Sequence, residues 1–303
     1  MKTLLLSILF AGALFAQLPA PNESGVAMGH LHLTGRDADA HRKFWVEALG
    51  GAIVKLGNFE VFKFPDVLVM IRKGEPSGGS EGSTINHLGF KVKNLKAALD
   101  RCEAAGVRVD PKRPNPQQAF VYTPDNVRVE LTEEPEMSAP IAHHHIHFST
   151  AAVDETKAWY VKMLGATPGK RGRFEAADVP GANLSFSPAQ TATAATKGRA
   201  LDHIGFEVRD LEAFCRKLEA LGVKFDVPYR KVPQLGIAIA FFTDPWGTYI
   251  ELTEGLGQIL AFVAPASCPM SLTLDGCRGE SQCPTTEPRN PEESVQSDAD
   301  KRT

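Results

Sequence analysis

The sequence repeats one pattern four times, and this repetition restricts the fold more than any other feature. Residues 30–50 begin with His-Leu-His-Leu and continue into a helix-like stretch that ends in Leu-Gly, and residues 145–165 repeat that order with the same spacing. Two related segments begin at residues 86 and 202, each with a His followed by an apolar residue, Gly and Phe. Such internal repetition predicts repeated supersecondary units.

Each repeat has the pattern of one strand, one helix and three more strands. The opening segments alternate polar and apolar residues, which is typical of a half-buried strand, and the following stretches have apolar residues at helical spacing. Short β-rich runs bounded by turn residues come next. The helices are expected to end in left-handed caps at Gly50, Gly106, Gly165 and Gly222. We therefore predict an α+β fold built from four βαβββ modules.

Composition divides the chain into four parts. Residues 1–20 combine a Lys, a short apolar run and small residues, which predicts a secretory signal peptide, with a retained anchor helix as the alternative. Residues 26–136 and 140–260 are expected to form two domains of two modules each. Residues 262–303 are rich in Ser, Pro, Glu and Asp, and predict a disordered tail. The mature protein is therefore expected to be exported, periplasmic or extracellular, and free of the membrane.

Charge and cysteine content narrow the range of partners. The formal net charge is −3, so there is no electrostatic reason to expect nucleic acid as a partner. Five cysteines are too few for a disulfide scaffold. A small molecule is the expected partner, and a homo-oligomer is left open.

The polar faces of the predicted strands carry the same residue types in both halves of the chain. Two imidazoles and one carboxylate from three strands form a facial metal site with open coordination positions. A lone strand histidine is usually satisfied by hydrogen bonds, but the return of the whole set favours a site. Inheritance of the residues without metal binding is the alternative. His41, on a helix, is expected at the surface. The recurring residues are His30, His87 and Glu130 in one half and His145, His203 and Glu251 in the other.

Two segments that lead into these glutamates carry a family resemblance. Residues 241–252, and the shorter residues 123–131, resemble the turn before the metal-binding glutamate of the vicinal oxygen chelate (VOC) superfamily. That superfamily includes glyoxalases, bleomycin resistance proteins and type I extradiol dioxygenases. The resemblance implies modules paired into two domains, each an open, curved, mixed sheet with helices on its convex face. It also implies one divalent cation per cup, with Fe²⁺, Mn²⁺, Zn²⁺ and Ni²⁺ left open.

The resemblance also implies roles for individual residues. It groups His145 and His203 with Glu251, and His30 and His87 with Glu130, as metal ligands. The position of a fourth glyoxalase ligand holds Ser185 or Met70, so the pattern is closer to the three-ligand dioxygenase set. The further implied residues are His147 and His32 as acid/base catalysts, with a cup-lining role as the alternative, and Tyr229, Arg230, Phe241 and Trp246 as substrate contacts. Because four histidines crowd residues 143–147, a slip of two residues is also open.

The predicted function is that of a divalent-metal-dependent enzyme of the glyoxalase/dioxygenase type. Its metal would polarise vicinal oxygens of a small substrate. The alternative is a metal-free protein that sequesters a ligand, as in the bleomycin-resistance branch. Intact ligand sets in both halves favour the enzyme.

Overall fold

A computed structural model describes residues 18–258 of the chain. Most of the predicted signal peptide and the predicted tail at residues 262–303 lie outside the described residues. Among residues 18–258, no helix has the length and apolar character needed to cross a membrane.

The four predicted βαβββ modules are confirmed. Module 1 comprises β1 (Val26–Gly35), α1 (Ala38–Arg42) with a π-helical continuation (Lys43–Ala48), β2 (Ala52–Leu56), β3 (Phe59–Phe64) and β4 (Val67–Lys73). Module 2 comprises β5 (Ile85–Val92), α2 (Leu95–Ala104), β6 (Arg108–Val109), β7 (Gln118–Tyr122) and β8 (Arg128–Glu133). Module 3 comprises β9 (Ile141–Thr150), α3 (Val153–Leu164), β10 (Thr167–Arg171), β11 (Phe174–Val179) and β12 (Ala182–Pro188). Module 4 comprises β13 (Leu201–Val208), α4 (Leu211–Ala220), β14 (Phe225–Val232), β15 (Ile237–Thr243) and β16 (Tyr249–Glu254).

Local signals in the sequence account for the limits of the helices. Asn94 and Asp210 cap α2 and α4, since each side chain accepts a hydrogen bond from the backbone N–H three residues later. The four glycines predicted to end the helices all have a positive φ, between 64° and 93°. These helix ends are as the sequence predicts.

The modules pair in an order that the sequence does not reveal. One eight-stranded sheet has the order β14-β15-β16-β13-β1-β4-β3-β2, and the other has β10-β11-β12-β9-β5-β8-β7-β6. The first strands meet antiparallel, β1 with β13 and β5 with β9. Modules 1 and 4 therefore form one sheet, called the 1–4 sheet below, and modules 2 and 3 form the 2–3 sheet. The ranges 26–136 and 140–260 each hold two modules, but neither contains a complete sheet.

Helical aromatic residues pack between strands of different sheets. The Trp45 ring, from module 1, is completely buried and lies 6.0 Å from that of Phe90 in β5, while Trp159 of α3 lies 6.1 Å from Phe242 in β15. One continuous apolar core includes residues of both sheets. The polar faces of the first strands point away from this core and form two concave surfaces, called the 1–4 cup and the 2–3 cup.

The expectation that His41 lies at the surface is wrong. His41 is completely buried, and its Nε2 lies 2.9 Å from Asp125 Oδ2 in the turn between β7 and β8. Tyr160 of α3 donates to Asp244 in the corresponding turn of module 4 at 2.9 Å. Each bond joins a helix of one sheet to a turn of the other, so His41 is part of the contact between the sheets.

Candidate metal centres

Strand alternation brings the predicted histidines onto the concave faces. In β1, Leu31 and Leu33 enter the core, so His30 and His32 share the opposite face. The ring of His30 lies over Gly205 of β13, and the ring of His145 lies over Gly89 of β5. A Cβ atom at either glycine would collide with the imidazole.

The 1–4 cup brings together two imidazoles and a carboxylate. Nε2 of His30 and Nε2 of His203 each lie 2.9 Å from Oε2 of Glu251. Nδ1 of His203 donates to Asp202 at 2.6 Å, which turns Nε2 toward the glutamate. His32 lies beside this group, with its ring 4.4 Å from that of His203, and one nitrogen of each histidine and a glutamate oxygen all lie within 4.8 Å of one another.

The 2–3 cup brings together the same residue types in a looser arrangement. Nε2 of His87 lies 3.1 Å from Oε2 of Glu130 and 3.2 Å from Nε2 of His145. The distance from Nε2 of His145 to the same carboxylate oxygen is 3.9 Å. Nδ1 of His87 donates to the amide oxygen of Asn86 at 2.9 Å. The hydrogen bond from the outer ring nitrogen orients the ligand nitrogen, as second-shell partners of metal-binding histidines do.

The six predicted metal ligands thus form two clusters, but the predicted grouping is wrong. His145 belongs with His87 and Glu130, and His203 belongs with His30 and Glu251. The reason is the pairing of the modules, since each cup takes its histidines from the two first strands that meet in its sheet.

The slip of two residues left open for the histidine run does not occur. His145 takes the position over Gly89 that His30 takes over Gly205. His143 is buried against Phe90, on the core side of the sheet. His144 is the additional residue at an irregularity in the β5–β9 pairing, and its Nδ1 lies 3.0 Å from Nδ1 of His145.

Burial and hydrogen bonding give the 2–3 cup the protonation that metal ligands need. Burial lowers the pKa of His145 well below its usual value, and burial also outweighs the contact with Glu130 and lowers the pKa of His87. Burial alone would raise the pKa of Glu130, but His87, Thr132 and Arg171 lower it to about 2. Two neutral imidazoles and an ionised carboxylate therefore face one point at neutral pH.

The 1–4 cup differs in the state of one histidine. Burial disfavours the charged form of His203, but its hydrogen bonds with Asp202 and Glu251 outweigh that effect and raise its pKa. Burial opposes ionisation of Glu251, but His30 and His203 hold its pKa below the usual range. A cation binding here would first displace the proton shared between His203 and the glutamate.

Both clusters have the donor set, the orienting hydrogen bonds and the glycine space that a divalent ion requires. Imidazole nitrogens and a carboxylate oxygen suit Fe, Mn, Ni and Zn ions, and a three-ligand set leaves positions for substrate or water. In the 2–3 cup the ligands would be His87, His145 and Glu130, and a nitrogen of His147 lies within 4.8 Å of nitrogens of both histidines. In the 1–4 cup they would be His30, His203 and Glu251, with His32 close enough to join them.

The two cups differ in what surrounds the ligands. The register of the strands places Arg171, Gln118 and Ser185 of the 2–3 cup where the 1–4 cup has Leu56, Ile239 and Met70. The 1–4 cup contains an apolar cluster formed by Leu56, Val61, Leu68, Ile237, Ile239 and Leu256, with Leu18, Met70 and Phe241 packed against it.

The 2–3 cup contains an open cavity of about 740 Å³. His87 and Glu130 lie in its wall, together with polar and aromatic side chains contributed by both modules. The other lining residues are Pro114, Gln118, Phe120, His147, Arg171, Arg173, Phe174, Ser187, Pro188 and Gln190. A small molecule that enters the cavity can therefore contact two predicted ligands, His87 and Glu130, and two arginines, Arg171 and Arg173.

Comparison with known proteins places the chain in a family. The family model described as Glyoxalase/Bleomycin resistance protein/Dioxygenase superfamily matches residues 27–131 and 142–252. The chain belongs to this superfamily. The resemblance drawn from the sequence is confirmed, and so is the fold of paired βαβββ modules with mixed sheets.

Solved structures of the superfamily share the fold at low sequence identity. Glyoxalase I from Zea mays is 16% identical with a TM-score of 0.64, and the match covers 78% of this chain and 95% of that chain. A putative dioxygenase from Bacillus subtilis is 16% identical with a TM-score of 0.58, and the match covers 79% and 86% of the two chains. A search of curated proteins finds no matching relative.

The two histidines predicted as acid/base catalysts both lie in the cups of this superfamily member. His147 lines the 2–3 cavity, where its Nε2 donates to Ser187 at 3.0 Å and its Nδ1 accepts from Arg171 at 3.2 Å. Burial lowers its pKa to about 3. Burial and neighbouring imidazoles lower the pKa of His32 to about 3 as well, and its Nδ1 has no hydrogen-bond partner among the described residues. Their catalytic role stays a prediction.

The four predicted substrate contacts all belong to module 4, in β14, β15 or the turn that follows β15. Phe241 lies in the 1–4 cup against the ring of His203, and Arg230 is exposed beside Ile239 at the edge of that sheet. Tyr229 instead packs against the shared core, and Trp246 lies near Trp159 of α3. None of the four lines the 2–3 cavity.

Sequence reasoning missed the side chains that make the open cavity polar. Arg171 is the last residue of β10, Arg173 lies in the turn between β10 and β11, and Gln118 comes from β7. The basic run Lys170-Arg171-Gly172-Arg173 was the available signal, because module 1 has no comparable run at its β2–β3 turn.

Proposed function

We propose that this protein is a divalent-metal-dependent enzyme of the glyoxalase/dioxygenase type that acts in its 2–3 cup on a small substrate with vicinal oxygens. One observation carries the proposal: His87, His145 and Glu130 converge beside an open cavity of about 740 Å³. A ligand set that a small molecule can reach is the arrangement expected of a catalytic metal site, since structural sites are closed.

The contrast between the cups supports the choice of the 2–3 cup. Leu56, Ile239 and Met70 belong to or pack against an apolar cluster, so these positions offer a substrate no polar group in the 1–4 cup. In the 2–3 cup the corresponding positions offer a guanidinium, an amide and a hydroxyl. Reaction intermediates with charged oxygens are stabilised by such preorganised polar groups.

The chain's own residues have definable tasks in this site. A bound divalent ion supplies Lewis-acid polarisation of the substrate oxygens. Gln118 and Thr132 donate hydrogen bonds to Oε1 of Glu130 at 3.2 and 2.8 Å, which leaves Oε2 directed at the two imidazoles. Phe120 and Phe174 form apolar walls, and His147 lines the cavity between Ser187, which accepts from its Nε2, and Arg171, which donates to its Nδ1.

A matched pair of variants tests which cup works. His87→Ala removes a ligand from the 2–3 cup, and His203→Ala removes the corresponding ligand from the 1–4 cup. Metal content, oxygen uptake with catechols and isomerisation of 2-oxoaldehyde adducts are measured for both. We expect His87→Ala to abolish turnover and His203→Ala to retain it. Wild-type protein without bound metal, even after reconstitution, would overturn the proposal in favour of ligand sequestration.

Export is part of the proposal. The charged start, apolar run and small residues of the first 20 positions support cleavage of a signal peptide. Leu18 packs against the apolar cluster of the 1–4 cup, which supports cleavage after Ala16 rather than after Ala20. Mass spectrometry of the protein recovered from outside the cytoplasm is expected to find Gln17 as the first residue. A full-length chain in the cytoplasmic fraction would contradict export.

A further inference from the structure

Arg171 stands apart in the 2–3 cup because it is a cation that reaches the metal-binding residues. Its side chain is four-fifths buried, which is costly for a charge unless that charge is paired. Nε donates to Ser185 at 2.8 Å and Nη2 donates to Nδ1 of His147 at 3.2 Å. These bonds fix the plane of the guanidinium against the wall of the cavity.

The third nitrogen of Arg171, Nη1, makes no hydrogen bond within residues 18–258 to offset the burial of the charge. Nη1 lies 3.8 Å from Oε1 of Glu130, which is longer than a hydrogen bond. The same glutamate is a predicted metal ligand, so its charge would be shared with a bound cation. Burial lowers the pKa of Arg171, but a guanidinium stays protonated in proteins. The charge therefore calls for an anionic partner within the cavity.

The charged residues that line the cavity also favour the binding of an anion. Its charged lining residues are Glu130, Arg171 and Arg173, so positive groups exceed negative ones before any cation binds. A divalent ion would increase that excess. At the position of Arg171 the 1–4 cup has Leu56, so the basic character belongs to the open cup.

We propose that Arg171 forms an anion subsite and that the substrate is a small 2-hydroxy or 2-oxo carboxylate, whose carboxylate binds Arg171. This inference rests on the proposed function, because the 2-hydroxy or 2-oxo oxygen of the substrate is assigned to the metal that His87, His145 and Glu130 would bind. A carboxylate can accept a charge-assisted hydrogen bond from Nη1, the nitrogen of Arg171 that makes no hydrogen bond among the described residues. Phe120 and Phe174, in the cavity wall, offer apolar surface for the rest of the molecule.

The test uses two probes of the same shape and different charge. Mandelate is an aromatic 2-hydroxy carboxylate, and 1-phenylethane-1,2-diol has the same skeleton and vicinal oxygens without the charge. Calorimetric titrations of metal-loaded wild type, Arg171→Leu, Arg171→Gln and Arg173→Leu compare their dissociation constants, with inorganic phosphate as a third probe. We expect Arg171→Leu to weaken mandelate binding by about tenfold or more, as for a lost charge-assisted hydrogen bond, and to leave diol binding unchanged.

The remaining outcomes are each decisive. Equal mandelate binding by wild type and Arg171→Leu, or equal losses of mandelate and diol, would overturn the subsite. Loss with Arg173→Leu as large as with Arg171→Leu would overturn it too, since general charge would then suffice. Phosphate binding tighter than mandelate binding would overturn the carboxylate assignment. Arg171→Gln, which keeps a donor for Ser185, covers the case in which the leucine variant does not fold.

The two proposals fail separately in this design. Wild type that binds no metal overturns the proposed function, and the mandelate titration of that metal-free protein still compares wild type with the Arg171 variants. If the Arg171 substitutions change the dissociation constants of mandelate and the diol equally in metal-loaded protein, only the anion subsite is overturned.

Discussion

Two glycines without a side chain provide the space that the ligand histidines occupy. Gly89 and Gly205 sit opposite the ligand histidines His145 and His30 in the antiparallel pairs at the centres of the two sheets. Any other residue would place its Cβ atom between 1.9 and 2.5 Å from three atoms of the imidazole ring. The glycines therefore let the rings lie flat across the neighbouring strand, where their nitrogens reach the carboxylates.

Gly89→Ala is expected to weaken metal binding in the 2–3 cup without unfolding the protein. The new methyl group would push the His145 ring away from Glu130, and we expect metal affinity to fall by about tenfold to a hundredfold, as it does when a second-shell partner is removed. Titration with a divalent metal measures the change. Gly169→Ala in β10 of the same sheet is the control, because the nearest atom to its Cβ is 3.8 Å away. Unchanged affinity in Gly89→Ala would contradict this account.

Glu207, which is not one of the metal-ligating residues, is expected to make the stability of the protein depend on pH. Burial raises its pKa to about 7, in spite of hydrogen bonds from Thr253 and the backbone of Gly255. The folded state then holds the proton more tightly than the unfolded state, whose value is near 4.5. The stabilising contribution is full below pH 4.5 and disappears as the pH rises through 7.

Glu207→Gln should therefore flatten the pH profile of unfolding. Urea denaturation at pH 5 and pH 8 measures the free energy of unfolding of both proteins. We expect the wild type to lose up to about 3 kcal/mol more than the variant between these values, since one pKa unit corresponds to about 1.4 kcal/mol. Parallel profiles of wild type and variant would show that Glu207 stays ionised through its hydrogen bonds.

The sequence predicted the metal-ligating residues of the two sites, but it did not predict the side chains that surround them. The ligands were found because alternation fixes which side chains share a face of a strand, and because the same types recur. Arg171 and Gln118 do not recur at the corresponding positions of module 1 and module 4, where Leu56 and Ile239 stand. Repetition is therefore informative about what the modules share and uninformative about what distinguishes the cups.

At the scale of elements, helix-to-turn hydrogen bonds hold the two sheets together. Tyr160 of α3 packs under the 2–3 sheet, but its hydroxyl donates to Asp244 between β15 and β16 of the 1–4 sheet. Asp244 is buried and also accepts from the backbone N–H groups of Trp246 and Thr248. The aspartate thus shapes the turn that leads into the strand of Glu251.

Tyr160→Phe is expected to lower the free energy of unfolding by about 1–3 kcal/mol, because it leaves a buried carboxylate oxygen without its donor. Urea denaturation measures the effect. Tyr229→Phe, at a half-buried tyrosine of β14, serves as the control and should change stability much less. Equal effects of the two substitutions would mean that the hydroxyl of Tyr160 contributes nothing specific.

Strands and helices followed from the sequence, but strand pairing between modules did not. Periodicity and caps fix the element type because they act within about a dozen residues. The first strands β1, β5, β9 and β13 are alike by repetition, so any of them offers the same edge to any other. Which edges meet depends on long-range packing, such as Trp45 against Phe90, which has no local signature.

At the scale of the whole molecule, the crossed pairing makes the two halves of the chain interdependent. Residues 26–136 contain β1–β4 of one sheet and β5–β8 of the other, so this half alone leaves the edges of β1 and β5 unpaired. Residues 140–260 have the same defect at β9 and β13. Each metal cluster likewise takes ligands from both halves, with His145 joining His87 and Glu130.

A fragment of residues 26–136 is therefore expected to fold only as a dimer. Two copies can pair β1 of one with β5 of the other, since β5 has the sequence pattern of β13, the natural partner of β1. Unpaired central edges and a halved core leave the monomer without a stable fold. Sedimentation and circular dichroism at increasing concentration should show structure appearing together with dimerisation, and a melting temperature that rises with concentration. A folded, concentration-independent monomer would mean that consecutive modules can close a cup by themselves, and the regrouping of the ligands would then lose its structural basis.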